Sequence, residues 1–262
     1  MLFVFDLDGV VYRGETAVPG AVPTLHALAA RGDSLWFLTN NSTRSRADYA
    51  AKLTRLGIPA RPEQVMTSAF ATGLHLRGMG AEGKSVYVVG ERGLAEEMRL
   101  AGMRVLPDED GASSADFVVV GLDREATYAR FRRAHALIRA GARFIATNRD
   151  PTFPMEGGVE IPGGGSMVAF LETSAGPAEL TIGKPEPFTW QHILRIAGVP
   201  PEQSVMVGDR ADTDVLGARR VGMRTALVLT GVTQPEDLPG LPEEQRPDVV
   251  MRSLEELPAH FG

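Results

Sequence analysis

The chain has no cysteine among its 262 residues. Disulfides, a thiolate nucleophile, and zinc or iron–sulfur centres held by cysteine are therefore excluded. Lysine is scarce as well, because the 27 basic residues include just three lysines, Lys52, Lys84 and Lys184. A chain that uses arginine for its general basic surface makes each lysine a candidate for a specific role.

Long apolar runs and a surplus of positive charge are also missing. No stretch approaches the roughly 18 apolar residues of a membrane-spanning helix, and the N-terminus carries no basic leader. The net charge of −6 offers no electrostatic footprint for nucleic acid or for an anionic membrane. We therefore expect a cytoplasmic protein without a nucleic-acid or membrane partner.

Short apolar runs alternate along the chain with amphipathic stretches. Gly57, Gly102, Gly141 and Gly198 closely follow four of these stretches, as glycine does at helix C-termini. The alternation predicts an α/β protein with a mostly parallel sheet. The predicted strands are residues 2–5, 34–38, 86–89, 117–120, 143–146, 205–207 and 225–229, and the predicted helices are residues 47–56, 94–100, 128–140 and 189–197.

Four apolar runs are followed directly by polar groups. These groups are Asp6, the segment 39–41 (Thr-Asn-Asn), Lys184 and Asp209. In an open parallel sheet the carboxyl ends of the strands form the edge at which ligands bind. If all four runs belong to one sheet, we expect these groups to meet there, although any one of them could simply cap the next helix.

The first run carries a second acid, Asp8, two residues after Asp6. In an extended strand both carboxylates would lie on one face, and burying such a pair is unfavourable unless a cation offsets the charge. Mg²⁺ prefers oxygen ligands of this kind and often binds a substrate phosphate as well. One carboxylate could then act as a nucleophile, and the other as a general acid and base.

Four segments resemble, in order, the four motifs of the haloacid dehalogenase-like hydrolase superfamily. They are DLDGV from Asp6, TNN from Thr39, GKP from Gly183 and GDRADTD from Gly208. The likeness is greatest to the NagD-like branch, which includes p-nitrophenyl phosphatases, phosphoglycolate phosphatases and pyridoxal phosphatases. The resemblance implies a Rossmann-like parallel-sheet core with a large inserted α/β cap domain. It also implies a Mg²⁺-dependent phosphatase of small phosphorylated metabolites that works through an aspartyl-phosphate.

The resemblance further implies a role for each matching residue. Asp6 would be the nucleophile and a Mg²⁺ ligand. Asp8 would lend its main-chain carbonyl to the metal and its side chain as general acid and base, which favours phosphate over halide, since a halide departs without a proton. Asp209 would complete the metal site, with Asp214 in support. The residues implied to bind the phosphoryl group are Thr39, Asn40, Asn41 and Lys184, so we expect Lys184 alone of the three lysines to matter for activity.

The spacing of the motifs predicts two domains. We expect residues 1–70 and 179–262 to form the catalytic core and residues 71–178 to form the cap, with a homodimer through the cap as a further expectation. The segment 148–154 is the candidate specificity loop, with Asn148, Asp150 and Phe153 as its candidate residues. Related pyridoxal phosphatases place a histidine where Phe153 stands, which speaks against that substrate. Contact of Phe153 with substrate and packing inside the cap are both left open.

Three other functions are compatible with parts of the sequence. A phosphate- or nucleotide-sensing module without catalysis and a phosphoryl transferase could each use the same fold. The run GMGAEGKS, residues 78–85, also fits the nucleotide-binding pattern GxxxxGK[ST]. That pattern works between a strand and a following helix, whereas here a helical stretch precedes it and a strand follows. We therefore expect a flexible turn with a solvated Lys84.

Overall fold

The computed structural model describes residues 1–108, 111–154 and 159–262, and this described part contains fifteen β-strands and nine α-helices. The strands are β1 (Leu2–Phe5), β2 (Tyr12–Arg13), β3 (Thr16–Ala17), β4 (Ser34–Thr39), β5 (Val65–Thr67), β6 (Ser85–Val89), β7 (Arg104–Val105), β8 (Phe117–Val120), β9 (Arg143–Ala146), β10 (Thr152–Pro154), β11 (Glu160–Pro162), β12 (Leu180–Thr181), β13 (Ser204–Gly208), β14 (Arg224–Val228) and β15 (Val249–Met251). The helices are α1 (Ala21–Ala30), α2 (Arg46–Arg55), α3 (Ser68–Gly78), α4 (Arg92–Leu100), α5 (Tyr128–Arg139), α6 (Gly164–Ala175), α7 (Phe188–Ala197), α8 (Leu216–Arg220) and α9 (Leu257–Phe261).

The chain forms two compact units, each with its own sheet. The core unit comprises Met1–Thr39, Ala47–Met66 and Lys184–Gly262. The insert unit comprises Asn40–Arg46 and Thr67–Gly183. The short segment Asn40–Arg46 thus belongs to the insert unit although it follows β4 of the core unit directly.

The core unit is built on a six-stranded sheet in the order β15-β14-β13-β1-β4-β5. β1 lies between β13 and β4 and is parallel to both, with Phe5 opposite Val207 and Phe37. All four β1 side chains are buried, because strands of a parallel sheet are covered on both faces. The rings of Phe5 and Phe37 lie 6.3 Å apart in the hydrophobic core beneath the sheet.

The insert unit is built on a five-stranded parallel sheet in the order β12-β9-β8-β6-β7. The central strand β8, with the sequence FVVV, is fully buried. Phe131 of α5 and Leu171 of α6 pack with Val118 and Phe144 in its core. The predicted α/β class with parallel sheets is confirmed, and all four of the predicted helix-ending glycines have positive φ.

The short strand before Lys184 contradicts one sequence-based expectation. We expected its apolar run to lie in the same sheet as β1, β4 and β13. Instead β12 pairs with β9 in the insert unit's sheet, so that expectation is wrong. Two strand residues do not reveal their partner, because pairing between distant strands is decided by the tertiary fold.

The order of elements around the run GMGAEGKS is the one expected from the sequence. Helix α3 ends at Gly78, and β6 begins at Ser85, so the run connects a helix to a strand. The Lys84 ammonium lies 3.4 Å from the Asp116 carboxylate, and about half of the Lys84 side chain is exposed to solvent. Among the described residues, no helix combines the length and apolar character needed to cross a membrane.

Candidate active site

Three neighbouring strands of the core unit bring polar side chains to one edge of its sheet. Asp6 follows β1 and donates its backbone N–H to the Val207 carbonyl of β13, at 2.9 Å. Thr39 ends β4, and Asp209 follows β13. All three side chains are buried. Since parallel strands share one carboxyl edge, the sequence correctly predicted that these groups would lie there.

Lys184 joins this cluster from outside the sheet. Its Nζ donates hydrogen bonds to Oδ1 of Asp6 at 2.5 Å and to Oδ1 of Asp214 at 2.6 Å. The Lys184 residue is just 4% exposed, so this ammonium is taken almost completely out of water. A buried cation is tolerated when carboxylates compensate it, as Asp6 and Asp214 do here.

Asp214 has a more direct place than the supporting one that the resemblance implied. It lies in the short π-helical turn Ala211–Val215 and is fully buried. Its Oδ2 accepts hydrogen bonds from the backbone N–H groups of Asp209, at 3.2 Å, and Arg210, at 3.1 Å. Asp214 therefore both pairs with Lys184 and holds the backbone that carries Asp209.

The segment after β14 fixes the Asp209 carboxylate, and the sequence analysis missed it. The Val232 N–H donates to Oδ2 of Asp209 at 2.7 Å. At Gly231 a Cβ would lie 1.8 Å from the same oxygen, so any side chain there would clash with the carboxylate. A signal was available: β14 is parallel to its neighbour β13, so the residues that follow β14 also reach the ligand-binding edge.

Asp8 is not part of this carboxylate cluster. β1 ends at Phe5, and the Leu7 carbonyl then accepts the N–H groups of Val11 at 2.9 Å and Tyr12 at 3.1 Å, which makes a turn. The strand therefore does not continue to Asp8, and the premise that one extended strand carries both Asp6 and Asp8 is wrong. Asp8 is half-buried and begins the approach to the β2–β3 hairpin.

Burial and mutual repulsion shift the titration of these acids in the metal-free protein. Burial is the main reason why the pKa of Asp6 lies well above its ordinary value; Lys184 opposes this rise, and Asp214 and Asp209 add to it. Burial, reinforced by Asp214, raises the pKa of Asp209 to about 7. Burial lowers the pKa of Lys184, but Asp214 and Asp6 outweigh it, so that pKa lies above its ordinary value. Without a cation beside them, Asp6 and Asp209 therefore keep their protons to a higher pH than ordinary aspartates do.

The donor set fits a divalent metal ion. Among the described residues, Asp6, Asp209 and Asp214 form a group of side chains that could hold a metal ion, with one oxygen from each lying within 4.8 Å of the others. Three ionised carboxylates facing one ammonium leave a net charge of minus two, which one divalent cation would neutralise. Oδ2 of Asp6 and Oδ1 of Asp209 accept no hydrogen bond from the described residues, so both can coordinate. All three carboxylates offer hard oxygen atoms, which Mg²⁺ prefers.

The remaining candidate residues lie in the insert unit. Asn41 is half-buried, and its Oδ1 accepts hydrogen bonds from the N–H and hydroxyl of Thr43, which leaves the amide N–H₂ end pointing away from that turn. Asn40 is buried and contacts both Asn148 and Asp150. The structure therefore brings two of the three cap candidates to the second motif.

Phe153, the third cap candidate, lies apart from that contact in the short hairpin β10–β11. It pairs with Ile161 across the hairpin and is half-buried. The Phe153 side chain is thus partly buried and partly accessible, which leaves both expectations for it open.

Two family models match the chain. One, described as haloacid dehalogenase-like hydrolase, matches residues 3–104, and another, described as HAD-hydrolase-like, matches residues 181–257. The first range contains Asp6 and Thr39, and the second contains Lys184, Asp209 and Asp214. The chain is also 39% identical over 236 residues to the 5′-nucleotidase YutF of Bacillus subtilis, which covers 90% of this chain and 90% of that protein.

Solved structures resemble the whole chain. The 4-nitrophenylphosphatase of Thermotoga maritima superimposes with a TM-score of 0.91 and 34% identity, covering 100% of this chain and 97% of that one. A glycerol phosphate phosphatase of Mycobacterium tuberculosis in complex with magnesium has a TM-score of 0.88 and 36% identity, covering 98% of this chain and 76% of that one. These likenesses extend over the sheets of both units.

Proposed function

The chain belongs to the haloacid dehalogenase-like hydrolases, and from that premise we propose that it is a Mg²⁺-dependent phosphatase of small phosphate monoesters. The observation that carries the proposal is the buried contact of Lys184 with Asp6 and Asp214, 2.5 and 2.6 Å long, beside the Asp209 carboxylate. The nearness of these groups supports the assignment of Asp6 as the nucleophile, of Lys184 as a fixed cation and of Asp209 as a metal ligand. The relatives are named for a nucleotide, 4-nitrophenyl phosphate and glycerol phosphate, which supports activity on several small monoesters.

The first chemical step is assigned to Asp6. An oxygen of its carboxylate attacks phosphorus, the P–O bond to the alcohol breaks, and an aspartyl-phosphate forms. We assign to Lys184 the role of offsetting the charge on the phosphoryl oxygens, and to the Thr39 hydroxyl the donation of a hydrogen bond to one of them. Asp8, in its protonated form, gives its proton to the departing alcohol oxygen.

The second step regenerates Asp6. Asp8, now ionised, takes a proton from water, whose oxygen attacks phosphorus while the bond between phosphorus and Asp6 breaks. Inorganic phosphate leaves, and Asp8 has regained its proton. Asp6, Asp209 and the main-chain carbonyl of Asp8 would hold Mg²⁺, with Asp214 beside them. When bound, Mg²⁺ would supply the positive charge that keeps Asp6 and Asp209 ionised and that attracts the phosphoryl oxygens.

The division of labour between the two parts of the chain is also a proposal. We assign catalysis to residues 1–70 and 179–262 and substrate selection to the cap, residues 71–178. Phe153, which is partly buried on its hairpin, is the residue through which the cap would choose among substrates. Cytoplasmic location and a homodimer through the cap stay predictions.

Hydrolysis of 4-nitrophenyl phosphate with and without Mg²⁺ tests the proposed function. We expect Mg²⁺-dependent release of inorganic phosphate, and a loss of about 10³-fold or more in kcat for Asp6→Asn, since an amide is no nucleophile. Brief incubation with substrate followed by acid quenching and mass spectrometry should show one phosphoryl group on the wild-type chain. Phosphorylation of the Asp6→Asn variant would refute the assignment of the nucleophile.

The same assay separates the alternatives. A sensing module would bind phosphate esters without releasing phosphate. A phosphoryl transferase would release less phosphate when a second alcohol is added and would phosphorylate that alcohol instead. A panel of nucleotides, glycerol phosphates and phosphoglycolate then ranks the substrates by kcat/KM.

A further inference from the structure

Asn40, the residue after Thr39, has its side-chain amide directed at Asp150. Its Nδ2 lies 3.1 Å from both Oδ1 and Oδ2 of Asp150, 110 residues along the chain. Both residues belong to the insert unit. Asn40 is 6% exposed, so this contact is made almost without competition from water.

The backbone of Asn40 is held by the same unit. Its carbonyl oxygen accepts hydrogen bonds from Nδ2 of Asn148, at 2.9 Å, and from the hydroxyl of Ser68, at 2.5 Å. Asn148 and Ser68 are themselves buried. Hydrogen bonds therefore hold Asn40 at both its side chain and its main chain.

The loop that carries Asp150 is held by hydrogen bonds that do not involve Asn40. The Asp150 N–H donates to Oδ1 of Asn148 at 3.1 Å, and the Asp150 carbonyl accepts the Gly165 N–H at 2.9 Å. The start of α6 thus supports the loop from behind. Because the Asp150 loop is held in place, its carboxylate can orient the Asn40 side chain.

Hydrogen-bond chemistry settles which end of the Asn40 amide faces Asp150. An ionised carboxylate only accepts, so the N–H₂ end of the amide must point to Asp150 and the carbonyl end must point away. The phosphoryl group of a monoester also only accepts, and a carboxylate beside it is repulsive. The N–H groups that Asn40 directs at Asp150 are therefore poorly suited to bind a phosphoryl oxygen.

We propose that Asp150 is a positioning residue for the phosphate-binding segment, and that the Asn40 side chain is the link through which it acts. This inference rests on the proposed phosphatase function. Asn40 then contributes its backbone to phosphate binding, while its side chain fixes the segment that begins at Thr39. The sequence analysis expected Asp150 to select among substrates, and this inference gives it a positioning role instead. Because every monoester shares the same phosphoryl group, loss of the Asp150 contact affects all substrates by the same factor.

A charge swap tests this link. In Asn40→Asp alone, two carboxylates face each other, and we expect kcat/KM to fall about 10²-fold or more. In the double variant Asn40→Asp with Asp150→Asn, the hydrogen bond reforms with its donor and acceptor exchanged. We expect the double variant to recover at least about tenfold over Asn40→Asp, with equal factors for 4-nitrophenyl phosphate, glycerol phosphate and a nucleoside monophosphate.

Glu172→Gln is the matched control. Glu172 accepts hydrogen bonds from Arg149, the residue next to Asp150, at 2.7 and 3.0 Å, so the variant weakens the support of the same loop without touching Asn40. We expect its kcat/KM to stay within about twofold of wild type, as for an exposed ion pair.

Two results would overturn the inference. If the double variant is folded but no more active than Asn40→Asp, the Asn40 side chain acts on the phosphoryl group itself. If Asp150→Asn changes kcat/KM unequally across the three substrates, Asp150 selects substrates instead of positioning the segment. Thermal unfolding of the wild type, Asn40→Asp, Asp150→Asn and the double variant gives a readout that does not depend on catalysis. We expect the effects of the two substitutions on stability to be coupled in this double-mutant cycle. Additive effects would refute the link even if the wild type hydrolyses no ester.

Discussion

At the scale of single residues, the burial of a lysine indicates what its loss should cost. Lys184 contacts two buried carboxylates, whereas Lys84 is half-exposed beside Asp116. We expect Lys184→Ala to lower kcat/KM for 4-nitrophenyl phosphate by about 10²–10³-fold, because it removes the cation that we propose to offset the charge on the phosphoryl oxygens. Lys84→Ala should stay within about twofold of wild type. An inactive Lys84→Ala with an active Lys184→Ala would revive the nucleotide-binding reading of GMGAEGKS.

Lys52 has a structural role that is separate from the expectation about activity. Its residue is 6% exposed, its Nζ donates to the Gly14 carbonyl at 2.6 Å, and it lies 3.6 Å from the centroid of the Tyr12 ring. Lys52 thus fastens the β2–β3 hairpin that follows Asp8. We expect Lys52→Ala to lower the free energy of unfolding in urea by about 1–3 kcal/mol, and Lys84→Ala by less than about 0.5 kcal/mol. Equal unfolding midpoints for the two variants would contradict this role.

The sequence predicts the position of a site residue well where that residue directly follows a parallel strand, and poorly where the chain turns. Asp6, Thr39 and Asp209 follow adjacent parallel strands, so their meeting could be foreseen. Asp8 could not be placed by alternation, because the extended geometry stops at Phe5. The link from Asn40 to Asp150 joins residues 110 apart and follows from the tertiary fold alone.

At the scale of elements, the run of three glycines at the start of α6 is explained by the loop beside it. A Cβ at Gly165 would lie 2.3 Å from the Arg149 carbonyl oxygen and 2.8 Å from that of Asp150. The helix can approach the loop 149–152 this closely because it has no side chains there. The glycines are thus part of what holds Asp150 in place.

Substitution of Gly165 tests that packing. We expect Gly165→Ala to lower the free energy of unfolding by about 1–3 kcal/mol, because the loop must shift to relieve the clash. Gly78→Ala is the control: a Cβ at Gly78 would meet no atom within 4 Å. Urea unfolding of the three proteins measures both effects. A Gly165→Ala variant as stable as Gly78→Ala would show that the loop yields without cost.

The strands and helices that were predicted lie within one or two residues of their observed ends, but helices α1 and α6 were missed, and sheet membership could not be predicted. β1, β8 and β9 have the predicted bounds, since each is a short apolar run between clear breaks. β12 was placed in the wrong sheet, because a two-residue edge strand carries too little pattern to name its partner. β5 and β15 were missed for the same reason of length.

At the scale of the whole molecule, the buried acids make stability depend on pH and on metal. The pKa of Asp209 rises from its ordinary value of 3.8 to about 7 on folding without metal. Between these values the folded chain keeps a proton that the unfolded chain has lost, so this group's ionisation favours unfolding as pH rises. Its destabilising effect therefore grows from about pH 4 to pH 7 and persists above that range.

Asp209→Asn removes this titration together with one proposed metal ligand. In EDTA at about pH 8 we expect the variant to melt at a higher temperature than the wild type, with the difference shrinking towards about pH 4. The control Glu236→Gln, at an exposed acid, should follow the wild type at every pH.

Added Mg²⁺ should reverse the order of the two proteins. A ligand that binds only the folded state stabilises it by about 2.7 kcal/mol at a hundredfold excess over its Kd. The wild type gains this energy because Asp6 and Asp209 are then compensated, whereas Asp209→Asn, with an amide in place of a charged ligand, should gain little. Differential scanning calorimetry with EDTA and with Mg²⁺ measures both shifts. If Mg²⁺ raises Tm equally in the two proteins, Asp209 is not a ligand, and the metal binds elsewhere in the fold.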